Sequence, residues 1–221
     1  MRAKKRVSVE RPRAIKRTPT VRRLRSAIVS PGPKPTVSPV APRPASPPPA
    51  GSPDDEAIDL SVDLGRGLRL ANPILVASGT FGYGVEYGDV VDLGRLGAIC
   101  CKGTTLKARI GNVPPRVAET PGGMLNSIGL QNPGVDAVVE KYTPLWAGWK
   151  VPVIVNVAGE SIADYVEVVR RLDGVPGVAG IELNISCPNV GKGGLQFAID
   201  ADAAAAVTAA VRRATHLPLQ V

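Results

Sequence analysis

The chain has 221 residues, 44% of them hydrophobic, with 24 Gly, 22 Pro and a formal charge of +8. That charge sits at one end: residues 1–50 carry thirteen Lys or Arg against one acid, Glu10, a balance of +12, whereas residues 51–221 carry fourteen bases against eighteen acids, or −4. A mildly acidic globular part speaks against a nucleic-acid-binding domain, no apolar run reaches the length of a membrane span, and no stretch reads as a secretory h-region.

Residues 1–56 read as a disordered, basic, Pro-rich tail. The run from Pro39 to Pro53 is mostly Pro, Ala and Ser, a composition that buries too little apolar surface to offset the entropy of ordering it. Other readings stand beside this one. The tail is Arg-rich and acid-poor like a transit peptide, but Pro12, Pro19, Pro31, Pro33 and Pro35 break any long helix. Lys4, Lys5 and Arg6, then Arg22, Arg23 and Arg25, cluster like a nucleic-acid arm, without aromatic residues between them for stacking. An upstream reading-frame artefact is the remaining alternative. Cys100, Cys101 and Cys187 give neither a zinc spacing nor an even disulfide framework. A reducing, cytoplasmic setting is therefore expected.

Residues 57–221 are enough for one well-cored domain. Ile58 to Leu70 reads as a small hairpin: Leu60, Val62 and Leu64 alternate, Gly65-Arg66-Gly67 turns, and Leu68-Arg69-Leu70 returns. Asn72 to Gly79 has the look of a central strand ending in small residues. Thr80-Phe81-Gly82-Tyr83-Gly84 is a Gly-rich loop without a dinucleotide fingerprint, and a short helix is expected over Val85 to Leu93. A second buried strand, Gly97 to Cys101, ends in Lys102-Gly103-Thr104-Thr105. Both cysteines there read as core. Lys102 does not, because a Lys closing an apolar strand must find an anionic partner or lose its charge.

Residues 106–133 read as a long ordered loop, docked through Met124, Leu125, Ile128 and Leu130. A helix follows over Val135 to Trp146, then a strand over Val151 to Gly159. Ser161 is placed to cap the next helix, whose inward face is Ile162, Tyr165, Val166, Val169 and Leu172. In Gly180 to Ile185, Ile181, Leu183 and Ile185 alternate, and Asn184, Ser186, Cys187 and Asn189 arrive within six residues, with Pro188 stopping the strand. The Gly-rich loop from Val190 to Ile199 precedes a helix that Asp202 is expected to cap. His216 reads as a solvated turn residue, and Leu217 to Val221 begins a fifth strand.

Strand, loop and helix thus repeat, with near-continuous apolar strands. This is an α/β pattern with a parallel sheet under helices, either doubly wound or an eight-stranded barrel, and periodicity does not separate the two. Chemistry at four strand ends (Ala77-Ser78-Gly79, Lys102-Gly103, Asn156, and Asn184 with Cys187) favours the (β/α)8 TIM barrel, here its first four and a half strands.

Taken together, Asn72–Gly82, Lys102–Thr105, Gly111–Arg116, Glu119–Gly134 and Asn184–Asn189 resemble dihydroorotate dehydrogenase, with Cys187 in place of Ser as in its class 1. Ala77 to Gly82 is most similar to the NAD-linked class 1B catalytic subunit. The resemblance implies an FMN-bearing barrel that oxidises (S)-dihydroorotate to orotate in pyrimidine (UMP) biosynthesis. It further implies a partner subunit with FAD and a [2Fe–2S] cluster that passes electrons to NAD, and a homodimer or heterotetramer without membrane attachment. By the same resemblance Cys187 is the catalytic base and Lys102 lies at flavin and substrate. Ser78, Gly103, Asn156 and Asn184 contact FMN. Asn126, Asn184 and Asn189 bind substrate, and Ser127, Ile128, Gly129 and Leu130 line the substrate loop. No metal site is expected. The family pattern continues beyond Val221 with a Lys, a further Asn and Gly-rich phosphate loops, so the 221 residues by themselves are expected to lack an FMN phosphate site. A catalytically inactive half barrel serving as an interaction piece is the alternative reading.

Overall fold

The computed structural model describes residues 58–186 and 197–221. The expected tail and most of the Gly-rich loop after Pro188 lie outside the described residues. Five parallel strands form the central sheet: β3 (Leu75–Val76), β4 (Ala98–Thr104), β7 (Val153–Val157), β8 (Val178–Leu183) and β9 (Leu219–Gln220). They lie side by side in chain order, β3-β4-β7-β8-β9. A doubly wound sheet reverses its order at a switch point, whereas a barrel adds each strand beside the last. The order is consistent with a barrel, and the α/β expectation holds.

Alternation gives the sheet two different faces. Ile99, Cys101, Val153, Val155, Ile181 and Leu183 face the helices in the larger apolar core. Ala98, Cys100 and Ile154 face the other way and meet Leu68 and Leu70 in a second, smaller core. Those two leucines come from the hairpin of β1 (Val62–Asp63) and β2 (Arg69–Leu70), which closes the floor of the inner face. Above this floor the inner face turns polar.

The helices cover the outer face. In α1 (Val135–Lys141), Val135 and Val138 are buried, and α2 (Thr143–Trp146) buries Trp146, whose Nε1–H donates to the Tyr83 carbonyl at 3.0 Å. The expected single helix from Val135 to Trp146 is broken at Tyr142. Pro144 cannot donate to the ladder, and its ring crowds the preceding turn. In α3 (Ile162–Leu172), Ser161 Oγ accepts from the Asp164 N–H at 3.2 Å, as expected of a cap. Tyr165, Val168, Val169 and Leu172 are buried along one side, and each fully buried Val or Leu contributes about 1.5–3 kcal/mol. The helix α4 (Ala201–Ala214) is capped by Asp200, which accepts from the Ala203 N–H at 3.0 Å. The expected cap, Asp202, stands in the first turn instead, where its charge suits the positive end of the helix dipole.

Other boundaries also differ from expectation. The stretch read as a central strand is β3, two residues on the sheet edge, with Leu75 exposed. The helix expected over Val85 to Leu93 is two short 3-10 turns, Val85–Tyr87 and Leu93–Arg95, and Gly88, which ends the first turn, lowers helix propensity inside the span. Inside the long loop lies an antiparallel hairpin, β5 (Val117–Thr120) and β6 (Gly123–Asn126), turned by Pro121 and Gly122. Met124 and Leu125 do not dock it: they are 64% and 66% exposed.

Asp173, just after α3, holds the turn between α4 and β9. Its Oδ1 accepts from the Thr215 hydroxyl at 2.5 Å and from the His216 N–H at 2.9 Å, and these bonds, the hydroxyl foremost, hold its carboxyl below the usual value. A depressed native value gives stability that is present above the unfolded value, about 3.9, and is lost as pH falls through the native one. Asp173→Asn is therefore expected to lower the thermal midpoint at neutral pH and to shrink the acid loss of stability. An unchanged acid limb in thermal melts below about pH 4 removes this role.

Candidate active site

At Lys102 the register between β4 and β7 slips. Cys101 pairs with Val155 and Thr104 with Val157, so Lys102 and Gly103 together oppose Asn156. Such bulges re-aim side chains and gather beside active sites. Gly103 packs tightly at this point: a Cβ there would lie 3.0 Å from Asn156 Oδ1 and 2.8 Å from Leu130 Cδ1, so both side chains would have to shift. The bulge is tied to the loop after β3 by the Lys102 N–H donating to the Gly82 carbonyl at 2.7 Å. Ser78 lies in that loop, half-buried.

Asn156 is buried and Asn184, one residue beyond β8, is half-buried. Asn184 Nδ2 donates to Asn156 Oδ1 at 3.3 Å. The Asn184 N–H donates to the Val157 carbonyl at 2.9 Å, and the Tyr165 hydroxyl donates to the Asn184 carbonyl at 2.8 Å, so sheet and helix both fix this strand end. Three of the residues singled out in the sequence, Gly103, Asn156 and Asn184, thus form one contiguous polar patch beside Lys102. The Lys102 side chain has no hydrogen bond or ion pair among the described residues and is half-buried. It also lines a cleft of about 290 Å³ with Tyr83, Glu86, Arg109, Gln131, Asn132, Pro133 and Tyr142. Neither Asn156 nor Asn184 lines that cleft.

The substrate-loop residues divide. Leu130, at φ 54°, reaches Gly103 with its side chain. Gly129 is buried and Ile128 half-buried, while Asn126 and Ser127 are exposed. Ser127 Oγ accepts from Asn112 Nδ2 at 2.7 Å. Asn126 stands in β6 opposite Val117, and its amide has no hydrogen bond among the described residues. The structure therefore brings the end of the loop to the bulge and leaves Asn126 on the hairpin. Cys187 and Asn189 lie outside the described residues.

Two residues that sequence reading passed over are structurally central. Asn132 fastens the loop end: its Oδ1 accepts from the N–H groups of Thr105 (3.1 Å) and Gly134 (3.0 Å), and its Nδ2 donates to the Leu130 carbonyl at 2.9 Å. Glu182 accepts from Asn156 Nδ2 and, at 3.1 Å, from Cys100 Sγ. Its signal was a lone acid in an otherwise apolar strand. Neither strand cysteine is poised to react. Burial, then the bond to Glu182, pushes the Cys100 thiol well up, and burial pushes Cys101 up to about 12.

Residues 61–221 match the family model described as dihydroorotate dehydrogenase. The chain is similar to the dihydroorotate dehydrogenase B (NAD(+)) catalytic subunits of Geotalea daltonii, 52% identical over 73% of this chain and 52% of the relative, and of Anoxybacillus flavithermus, 54% identical over 73% and 52%. The chain spans about half the length of the curated relatives it matches. Among solved structures, a DHODH from Eimeria tenella crystallised in complex with ferulenol superposes with a TM-score of 0.58 at 20% identity, over 73% of this chain and 45% of that one. That likeness speaks for the fold alone.

Proposed function

The chain belongs to the dihydroorotate dehydrogenase family, and on that premise we propose that its polar strand-end patch is part of a site that oxidises (S)-dihydroorotate to orotate in pyrimidine (UMP) synthesis. The sheet is read as part of a (β/α)8 barrel. The observation that carries the reading is the bulge, which gathers Lys102, Gly103, Asn156 and Asn184 at neighbouring strand ends.

The residues present fit one edge of a flavin. A lactam edge offers both donors and acceptors, which amides match. Lys102 supplies a cation without an ion-pair partner among the described residues, and Gly103 lets the Leu130 and Asn156 side chains approach the strand end closely. Ser78, Lys102, Gly103, Asn156 and Asn184 are the residues that would hold FMN. When bound, FMN supplies the hydride acceptor.

The chain's own groups do the rest. Cys187 removes the C5 proton of dihydroorotate as its C6 hydride departs. Lys102 stabilises negative charge at the ring edge. Asn126, Asn184 and Asn189, with Lys102, bind the substrate ring, and the segment from Ser127 to Leu130 covers it. A partner subunit carrying FAD and a [2Fe–2S] cluster would supply the route for electrons to NAD, in a heterotetramer in the cytoplasm. The similarity to NAD(+)-linked catalytic subunits supports that choice of acceptor.

The test is anaerobic mixing of dihydroorotate with the FMN-loaded protein. Bleaching of the yellow colour with formation of one orotate per flavin is expected. A preparation that holds FMN yet neither bleaches nor forms orotate would sink the reading.

A further inference from the structure

We propose that Glu182 is a positioning residue, whose carboxylate fixes the hydrogen-bonding direction of Asn156 and Asn184 so that Asn184 is left to accept a hydrogen bond from an N–H of a bound ring. The inference rests on the reading of the strand-end patch as a ring-binding site, and deepens it.

The register sets the geometry. Asn156 and Glu182 are direct partners across β7 and β8, and Glu182 pairs in turn with Gln220 of β9. Partners in adjacent strands share a face, so Glu182 stands on the inner face, one level above the apolar floor of Ala98, Cys100 and Ile154. It forms no ion pair among the described residues. Its compensation is instead two donors, one on each oxygen: Asn156 Nδ2 on Oε1 and Cys100 Sγ–H on Oε2.

An amide presents a donor at one end and an acceptor at the other, and a carboxylate accepts only. With Nδ2 of Asn156 committed to Glu182, its Oδ1 must point the other way. There it receives Nδ2 of Asn184. The direction is thereby passed on: one Asn184 side-chain N–H is engaged, and nothing among the described residues donates to its Oδ1. Without Glu182, Asn156 is free to turn over, and Asn184 with it, which would offer the ring a donor where it needs an acceptor. The raised Cys100 thiol agrees with this, since a thiol that keeps its proton remains a donor to Oε2.

The test compares Glu182→Met with Glu182→Gln in the full chain saturated with FMN, using orotate as the probe. The readouts are the orotate Kd and the side-chain amide resonances of Asn156 and Asn184 in nitrogen-labelled protein. Met offers no acceptor, so E182M is expected to weaken orotate binding by about tenfold or more and to move both amides' resonances. Gln still offers Asn156 an acceptor but can also turn over and donate, so E182Q is expected to weaken orotate binding clearly less than E182M does. E182Q as weak as E182M would mean that only the charge matters, and would overturn the proposal. So would an E182M variant with unchanged Kd and unchanged Asn184 resonances. If E182M does not fold, Glu182→Ala carries the same comparison. Failure of the wild-type chain to bind orotate would sink the reading of the site, while the resonances would still decide whether Glu182 sets the amides' direction.

Discussion

Replacing Cys187 with alanine is expected to abolish dihydroorotate oxidation while leaving the FMN-loaded protein yellow. On the proposed mechanism the thiolate takes the C5 proton, and general-base catalysis of this kind supplies about 10²–10⁴ in rate. Cys187 follows a strand end that is held from two sides, by Val157 and by the Tyr165 hydroxyl at Asn184. Ile185 is buried and Ser186 is exposed, so the described chain leaves the core at Ser186. Cys100 and Cys101 cannot substitute, because burial keeps both protonated. An ordinary thiol ionises near pH ~8.5. Turnover in the wild type should therefore rise with pH through the Cys187 ionisation, and C187A should lack that rise. Near-wild-type kcat in C187A, or an unaltered pH profile, would refute the base assignment.

What the sequence showed of this site follows from what a strand pattern can carry. An apolar run interrupted at its end by Lys102, Asn156 or Asn184 is visible because a buried strand has no other use for such residues. Which strand lies beside which is not visible in any one run, and the barrel-like order became apparent only from the pairing of β3 through β9. Glu182 escaped notice for the opposite reason. A single acid inside Ile181-Glu182-Leu183 reads as the solvent-facing member of an alternating strand. Its inner-face position follows from the partnership with Asn156, a contact 26 residues away in sequence. The hairpin of β5 and β6 was written in the Pro121-Gly122 turn, but the flanking residues alternate weakly and all are exposed. Its apolar residues are not core anchors here, because no second element packs on them among the described residues.

The bulge links these local facts to the chemistry. Lys102-Gly103 reads in sequence as a polar stop after Cys101, yet β4 continues to Thr104. The extra residue lets the strand keep its pairing with β7 while two residues face Asn156. One of them, Gly103, lets Leu130 and Asn156 pack closely, and the other carries charge. A well-paired strand thereby holds a cation at the candidate site, and rigid elements hold site geometry more accurately than loops do.

Lys102→Met is accordingly expected to lower kcat by roughly 10²–10³, the usual cost of removing one preorganised group that stabilises developing charge. Met preserves most of the side-chain volume, so the bulge and its pairing with β7 should survive. The half-buried ammonium makes no ion pair among the described residues, although Glu86 lines the same cleft, and such a position is costly unless a ligand completes it. Arg109 lines the same cleft but pairs with Glu160 at 2.8 Å, so its charge is already spent on a neighbour. Losing the cation should also make the flavin midpoint potential more negative, since reduction then places negative charge beside a methyl-capped side chain. Potential and rate must move together if Lys102 acts at the ring edge. A drop in kcat with an unchanged potential would place Lys102 at the substrate alone, and a K102M protein with wild-type values of both would remove it from the site.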